Sequence, residues 1–368
     1  MNSAPTAEMM GSIPVRNAWH MLLYAWDMVA WRGTHHAEAE GSPSLLGLLA
    51  RVLAASTRKL LRRELARSFA EQGETVRGVR GRVDFARSLK RLEFEAGRAH
   101  CAFSSLDVDT LRNQILRTTL ERLGSDPRVD HVDAKKAAEL RHEIRDLVRA
   151  MDGVTPIQIT KTAFSRLQLT RMDRSYALPL AICALLHRLE MPTECSGDHA
   201  LTALARDQIT FHSLFERFVR NFWRLHLSLF DVKSEVLSWP DDVANEYAPS
   251  MRTDMTLVSR TAPHRRVIVD TKYTASVLCA GPHGALKFRS EHLYQLYAYL
   301  RTQEDKGEPH RQAEGILLYP TARHHLDETM VVQGHRLRVA TVDLARSWEQ
   351  VEERLIALVS PGAGVEAG

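Results

Sequence analysis

The sequence contains no apolar run approaching the roughly 18 residues that a membrane-spanning helix requires. Met1 to Ser12 lack a basic segment followed by an apolar core, so no secretory leader is expected. A soluble, cytoplasmic protein without membrane contact is the expectation. Cysteine is scarce: Cys101, Cys183, Cys195 and Cys279 form no Cys-x-x-Cys pair. That spacing argues against a zinc ribbon or finger, and a disulfide scaffold is not expected in so long a chain. The His35-His36 and His324-His325 doublets read as exposed loop residues rather than metal ligands. A G-x-x-x-x-G-K-[ST] loop is absent, so the chain is not expected to hydrolyse nucleotide itself. Also absent are a G-x-S-x-G elbow, an H-E-x-x-H helix, internal repeats and low-complexity tracts. Lysine is sparse as well, supplying nine of the 49 basic residues.

What is present is ordinary in bulk. The chain has 368 residues, 44% hydrophobic and 26% charged, which excludes collagen-like and wholly disordered classes and suits two domains. The net charge is +4, but its distribution is uneven. Residues 51–100 hold thirteen Lys and Arg against six Asp and Glu. Such a block can face phosphates or an acidic partner, or can be a solvated helix face. Arg62, Arg63, Arg80 and Arg82 within it are the candidate DNA or partner contacts.

Residues 17–30 read as a helix with Met21, Leu22, Leu23 and Trp26 as its apolar stripe. A second helix opens at Ser42-Pro43-Ser44 and carries Leu46, Leu49, Val52, Leu53, Leu60 and Leu61 to about Phe69. Gly73, Gly78 and Gly81 then punctuate a short β-like region holding Val76, Val79, Val83 and Phe85. Helices are expected at 110–123, 131–151 and 175–190, followed by a polar linker at 191–200. Beyond it, a long helix over 204–229 carries Phe211, Leu214, Phe215, Phe218, Phe222 and Leu225. Strands are expected at 232–237, 253–258, 265–271 and 314–319, with a helix at 290–302. A strand near 329–341 and a helix at 344–358 complete the pattern. The fold class is α/β (α+β). A mostly helical N-terminal domain with a small β region spans 1–195, a mixed sheet flanked by helices spans 196–360, and 361–368 form a frayed tail.

The chemistry concentrates at Val267-Ile268-Val269-Asp270-Thr271-Lys272, an apolar strand ending in Asp-x-Lys. Side chains alternate along a strand, so Asp270 and Lys272 share a face. One hairpin upstream, Asp254 opens a second strand candidate. Pairing the two strands brings the carboxylates within a few ångströms. Two carboxylates with waters suit Mg²⁺, which polarises a phosphate and acidifies bound water. A lysine beside them can orient that water or stabilise the developing charge. An acid-x-Lys triplet alone is weak, since the chain has four: Asp133/Lys135, Asp231/Lys233, Asp270/Lys272 and Glu304/Lys306. Only the third joins an apolar strand, an upstream acid and a following helix with Gln295 and Tyr299 on one face. The competing reading is a surface ion pair at a strand end. Glu216, on the long helix, is either a further site acid or a solvent-facing glutamate.

The pattern of Asp254, Asp270-Thr-Lys272 and Gln295-x-x-x-Tyr299 resembles the PD-(D/E)xK nuclease superfamily. Longer strings resemble one family within it, the McrC nuclease subunits of McrBC modification-dependent (type IV) restriction systems. They are Ile13-Pro14-Val15-Arg16-Asn17, Met21-Leu22-Leu23-Tyr24-Ala25-Trp26, Gly81-Arg82-Val83-Asp84-Phe85-Ala86, Asp107-Val108-Asp109-Thr110 with Asn113, Val269-Asp270-Thr271-Lys272-Tyr273, Leu293-Tyr294-Gln295-Leu296 and Leu318-Tyr319-Pro320. The resemblance implies a DNA endonuclease using Mg²⁺ (or Mn²⁺), with Asp254, Asp270 and Lys272 as catalytic residues and the two aspartates as metal ligands. It implies an N-terminal part that contacts an McrB-like AAA+ GTPase and stimulates it, the GTP being bound by that partner and not by this chain. Double-stranded DNA with methylated cytosine would be recognised by the partner, and nuclease domains could self-associate within the complex. Two departures stand out: Glu216 has no fixed counterpart in the family, and Thr253 stands where the superfamily is named for proline. A catalytically silent regulator of the GTPase and a stand-alone repair-type nuclease are the alternatives.

Overall fold

A computed structural model describes residues 13–35, 44–130, 134–170, 173–190, 208–239, 247–274, 276–280, 285–322 and 324–360. The linker expected at 191–200 and the tail at 361–368 lie outside them. The chain divides into two compact units, Leu46–Cys195 and a second that joins Met1–Leu45 to Ser196–Gly368. The N-terminal segment thus folds with the residues that follow Cys195 rather than with the unit that ends there.

In that second unit the first helix, α1 (Val15–Ala25), shows why. Asn17 Nδ2 donates to the carbonyls of Leu344 and Arg346 at 2.9 and 2.7 Å. Asn221 Nδ2 in turn donates to the Tyr24 carbonyl at 2.8 Å. Tyr24, Phe218, Phe222 and Trp348 form one aromatic cluster. Burying such rings contributes about 1.5–3 kcal/mol each, so α1 is tied to elements 197 and 327 residues away in sequence.

The Leu46–Cys195 unit holds α2 (Leu45–Arg62), whose first residue is the boundary, then β1 (Ser68–Arg77), β2 (Arg82–Val83), α3 (Phe85–Lys90), β3 (Arg98–Asp107), α4 (Leu111–Ser125), α5 (Ala134–Ala150) and α6 (Arg174–Glu190). The strands form an antiparallel sheet of order β1-β3-β2. Three expectations change here. The second helix stops at Arg62, and Phe69 lies in a strand. Phe85 is not a strand residue: Asp84 caps α3 by accepting from Arg87 N at 3.0 Å, as short acids do at helix starts. The central strand β3 has no counterpart in the sequence reading.

The second unit continues with α7 (Gln208–His226), β4 (Phe230–Lys233), β5 (Met255–Ser259), β6 (Arg266–Thr271), α8 (Ser290–Arg301), β7 (Glu314–Thr321), β8 (Asp327–Val332), β9 (His335–Asp343) and α9 (Trp348–Val359). The sheet order is β8-β9-β7-β6-β5-β4. β6, β7 and β9 run parallel and the outer strands antiparallel. This is the expected mixed sheet. The strand expected over 329–341 is instead the β8–β9 hairpin, turned at Gln333 and Gly334, both at positive φ (48° and 88°). One core cluster joins Ile268, Leu317, Tyr319, Leu337 and Val339 of the sheet to Leu296, Tyr299 and Leu300 of α8. Among the described residues no helix is long and apolar enough to cross a membrane.

Candidate active site

β6, which carries the candidate residue Asp270, is buried along its whole length. Ile268, Asp270 and Lys272 share one parity, hence one face. Ile268 packs in the cluster with Leu296, Tyr299 and Leu300, so that face is turned to α8. Gln295 and Tyr299, four apart, meet it there. Lys272 Nζ lies 2.8 Å from Asp270 Oδ2 and donates to Gln295 Oε1 at 2.7 Å. Gln295 Nε2 donates onward to the Tyr299 hydroxyl oxygen at 2.6 Å. The structure therefore places four sequence candidates in one chain of contacts.

Asp254 sits at the bend before β5. The antiparallel register pairs Met255 with Val269, and extending it by one residue sets Asp254 opposite Asp270. Asp254 Oδ2 accepts from Thr271 N at 2.7 Å and Thr271 Oγ1 at 2.6 Å. Among the described residues nothing donates to its Oδ1. Burial first, and the Asp254 charge second, raise the Asp270 pKa to about 6, while Lys272 and His212 act against them. Asp270 is 1% exposed, and its Oδ2 has a cation beside it but no aligned hydrogen bond.

The long helix α7 supplies the third wall. His212, Glu216 and Arg220 recur every four residues, so they form one stripe. His212 Nε2 lies 2.7 Å from the Thr271 carbonyl. A carbonyl only accepts, so that nitrogen carries the proton. Arg220 Nη1 donates to Glu216 Oε1 at 2.6 Å and to the Asp254 carbonyl at 3.3 Å. Glu216 is thus neither solvent-free nor joined to the carboxylate pair; it reaches the site through Arg220. His212, Arg220 and Thr271 were missed from sequence. The four-residue interval around Glu216 was the available signal for the first two.

The remaining candidates lie elsewhere. Arg62 ends α2 and Arg63 follows it, while Arg80 and Arg82 flank the turn into β2; all four are exposed. They belong to the Leu46–Cys195 unit, whereas the carboxylates belong to the other. The Arg80 guanidinium stands 4.0 Å from the Phe103 ring centroid. His324 and His325 are exposed loop residues, as expected.

The carboxylate donor set fits a hard cation. Mg²⁺ takes one or two carboxylates and completes its shell with water and substrate oxygens. Asp254 Oδ1 and the unaligned Asp270 Oδ2 are oxygens of that kind. No group of three or more His, Cys, Asp or Glu gathers as a metal cage among the described residues.

Comparison with known proteins adds a separate line. A family model described as "McrBC 5-methylcytosine restriction system component" matches residues 7–320. The chain belongs to the McrBC family. It is 28% identical over 348 residues to an Escherichia coli K12 protein described as "Type IV methyl-directed restriction enzyme EcoKMcrBC". That alignment covers 94% of this chain and 96% of the relative. A solved structure of Thermococcus gammatolerans McrB AAA+ hexamers with bound McrC matches with a TM-score of 0.55 and 18% identity. It covers 94% of this chain and 76% of that one, a likeness of fold. Asp254, Asp270, Lys272, Gln295 and Tyr299 all fall inside the McrBC match.

Proposed function

We propose that this McrBC-family chain is the Mg²⁺-dependent DNA endonuclease subunit of its restriction system. The observation that carries the reading is the convergence of Asp254, Asp270 and Lys272 at the end of β6. Asp254 and Asp270 would hold the cation, which when bound supplies Lewis acidity and an acidified water. Lys272 has a separate task. Its ammonium is pinned between Asp270 and Gln295, so its charge is aimed rather than free to wander. Positioned donors of this kind orient an attacking water and stabilise phosphorane charge without reorganisation. Tyr299 braces Gln295 from behind.

The chain acts, on this reading, with an McrB-like AAA+ GTPase that binds the GTP and reads modified cytosine in double-stranded DNA. The structural relative is itself an McrC bound to McrB hexamers. The Leu46–Cys195 unit supports a protein contact. Phe69, Phe85, Leu89 and Leu92 are 77, 65, 62 and 62% exposed, close in sequence to the exposed Arg80 and Arg82. Apolar side chains displayed in such number mark interaction surfaces, and they suit a protein partner better than a phosphate backbone. Reversing Arg62 and Arg63 to Glu should then lower GTPase stimulation more than DNA binding.

Asp270→Ala tests the site. It should abolish cleavage while partner stimulation persists. Cleavage at the unmodified rate would remove Asp270 from the mechanism, and absence of metal-dependent cutting by the unaltered protein would favour a regulator.

A further inference from the structure

Resting on that nuclease reading, we propose that Thr271, the residue between Asp270 and Lys272, is a positioning residue: it clamps Asp254 and is itself anchored by His212. The clamp is made of one residue's two donors. Thr271 N and Oγ1 both point at Asp254 Oδ2, at 2.7 and 2.6 Å. The hydroxyl distance lies in the range of a charge-assisted O–H···O⁻ bond. Two donors on one oxygen set the rotation of the carboxylate, which leaves Oδ1 as the oxygen turned to a ligand.

The same residue controls the other two groups through its backbone. Asp270 precedes it and Lys272 follows it, so moving the Thr271 peptide moves both. His212 Nε2 donates to its carbonyl at 2.7 Å, which ties β6 to α7. Lys272 N donates to the Leu318 carbonyl at 2.9 Å, which ties the next peptide to β7. Thr271 is fully buried and Asp270 is 1% exposed, so water cannot replace a lost partner cheaply. Thr271 touches no reacting atom in this account. Its role is to hold one carboxylate at the correct rotation, as outer partners of metal ligands do.

The hydroxyl can be removed with little change of shape. Thr271→Val keeps the β-branch and the backbone donor, and loses only the Oγ1 bond. The test uses the full chain with its GTPase partner on methylated plasmid DNA. Thr271→Val should lower kcat about 10–100-fold and raise the Mg²⁺ needed for half-maximal rate by a similar factor. KM for DNA and stimulation of the GTPase should stay within about twofold. Thr271→Ser restores the hydroxyl and should return kcat to within a few-fold of the unaltered value. Calorimetric titration of the protein with Mg²⁺ alone should show the same weakening in Thr271→Val and the same rescue in Thr271→Ser. If Thr271→Val does not fold, His212→Gln, which keeps a donor, against His212→Leu, which does not, tests the device from the helix side.

Unchanged kcat and Mg²⁺ requirement in a folded Thr271→Val overturn the inference. So does a Thr271→Ser protein as impaired as Thr271→Val, because sterics rather than the hydroxyl would then be at work. Unaltered protein that neither cuts DNA nor binds Mg²⁺ overturns the nuclease reading instead, which keeps the two failures apart.

Discussion

Asp327→Asn is the sharpest stability test in the unit that carries the candidate site. Asp327 opens β8 and is gripped by two arginines. Arg338 on β9 donates to both of its oxygens at 2.7 Å, and Arg354 on α9 donates to Oδ2 at 2.6 Å. These bonds overcome burial and pull the Asp327 pKa down to about 2. A drop from an ordinary value near 3.9 is worth about 2.5 kcal/mol at 1.36 kcal/mol per unit. The carboxylate is 23% exposed, so solvent screening brings the working figure to about 1–2 kcal/mol. The folded pKa lies below the unfolded one. The stabilisation is therefore complete above about pH 5, about half remains near pH 3, and it is gone below about pH 1. Urea unfolding read by tryptophan fluorescence suits the purpose, since Trp348 at the start of α9 is fully buried. The substituted protein should be less stable by about 1–2 kcal/mol at pH 7, with the gap about halved at pH 3. A gap that is absent at pH 7, or that does not change with pH, refutes the reasoning.

Lys272→Met should cut DNA at least about 100-fold more slowly with GTPase stimulation intact, measured by paired cleavage and phosphate-release assays. Asp270→Asn should raise the thermal midpoint of the metal-free protein at pH 7, because a buried charge beside Asp254 is removed, while cleavage is lost; a lower midpoint would contradict the burial argument. Gly315→Ala would set a Cβ 2.9 Å from the Leu296 side chain and 3.0 Å from Leu300. It should cost about 1–3 kcal/mol by overpacking, and it should also slow cleavage by displacing the helix that carries Gln295.

Local chemistry was legible and long-range packing was not. Val267-Ile268-Val269 ahead of Asp270 reads as a buried strand, so β6 and the shared face of Asp270 and Lys272 followed from alternation. Gln295 and Tyr299 followed from helical spacing. β3 escaped notice because its inward residues Ala99, Cys101 and Phe103 include two small side chains and give a faint alternating signal. Gln333-Gly334 lacks the usual Asn-Gly or Asp-Gly signature, so a hairpin read as one strand. The home of α1 was unreadable for another reason. Its apolar stripe announces that it is buried, but not that Asn17 meets Leu344 and Arg346. His212 is the same kind of case: its partner is a backbone carbonyl 59 positions away, which no spacing reveals.

The most direct test of the central claim is plasmid cleavage by the unaltered chain with Mg²⁺, GTP and its AAA+ partner, on methylated and unmethylated DNA, with Asp270→Ala in parallel. The account predicts cutting of methylated DNA that needs Mg²⁺ and vanishes in Asp270→Ala. Cutting that persists in Asp270→Ala, or no cutting while the GTPase is still stimulated, would contradict it.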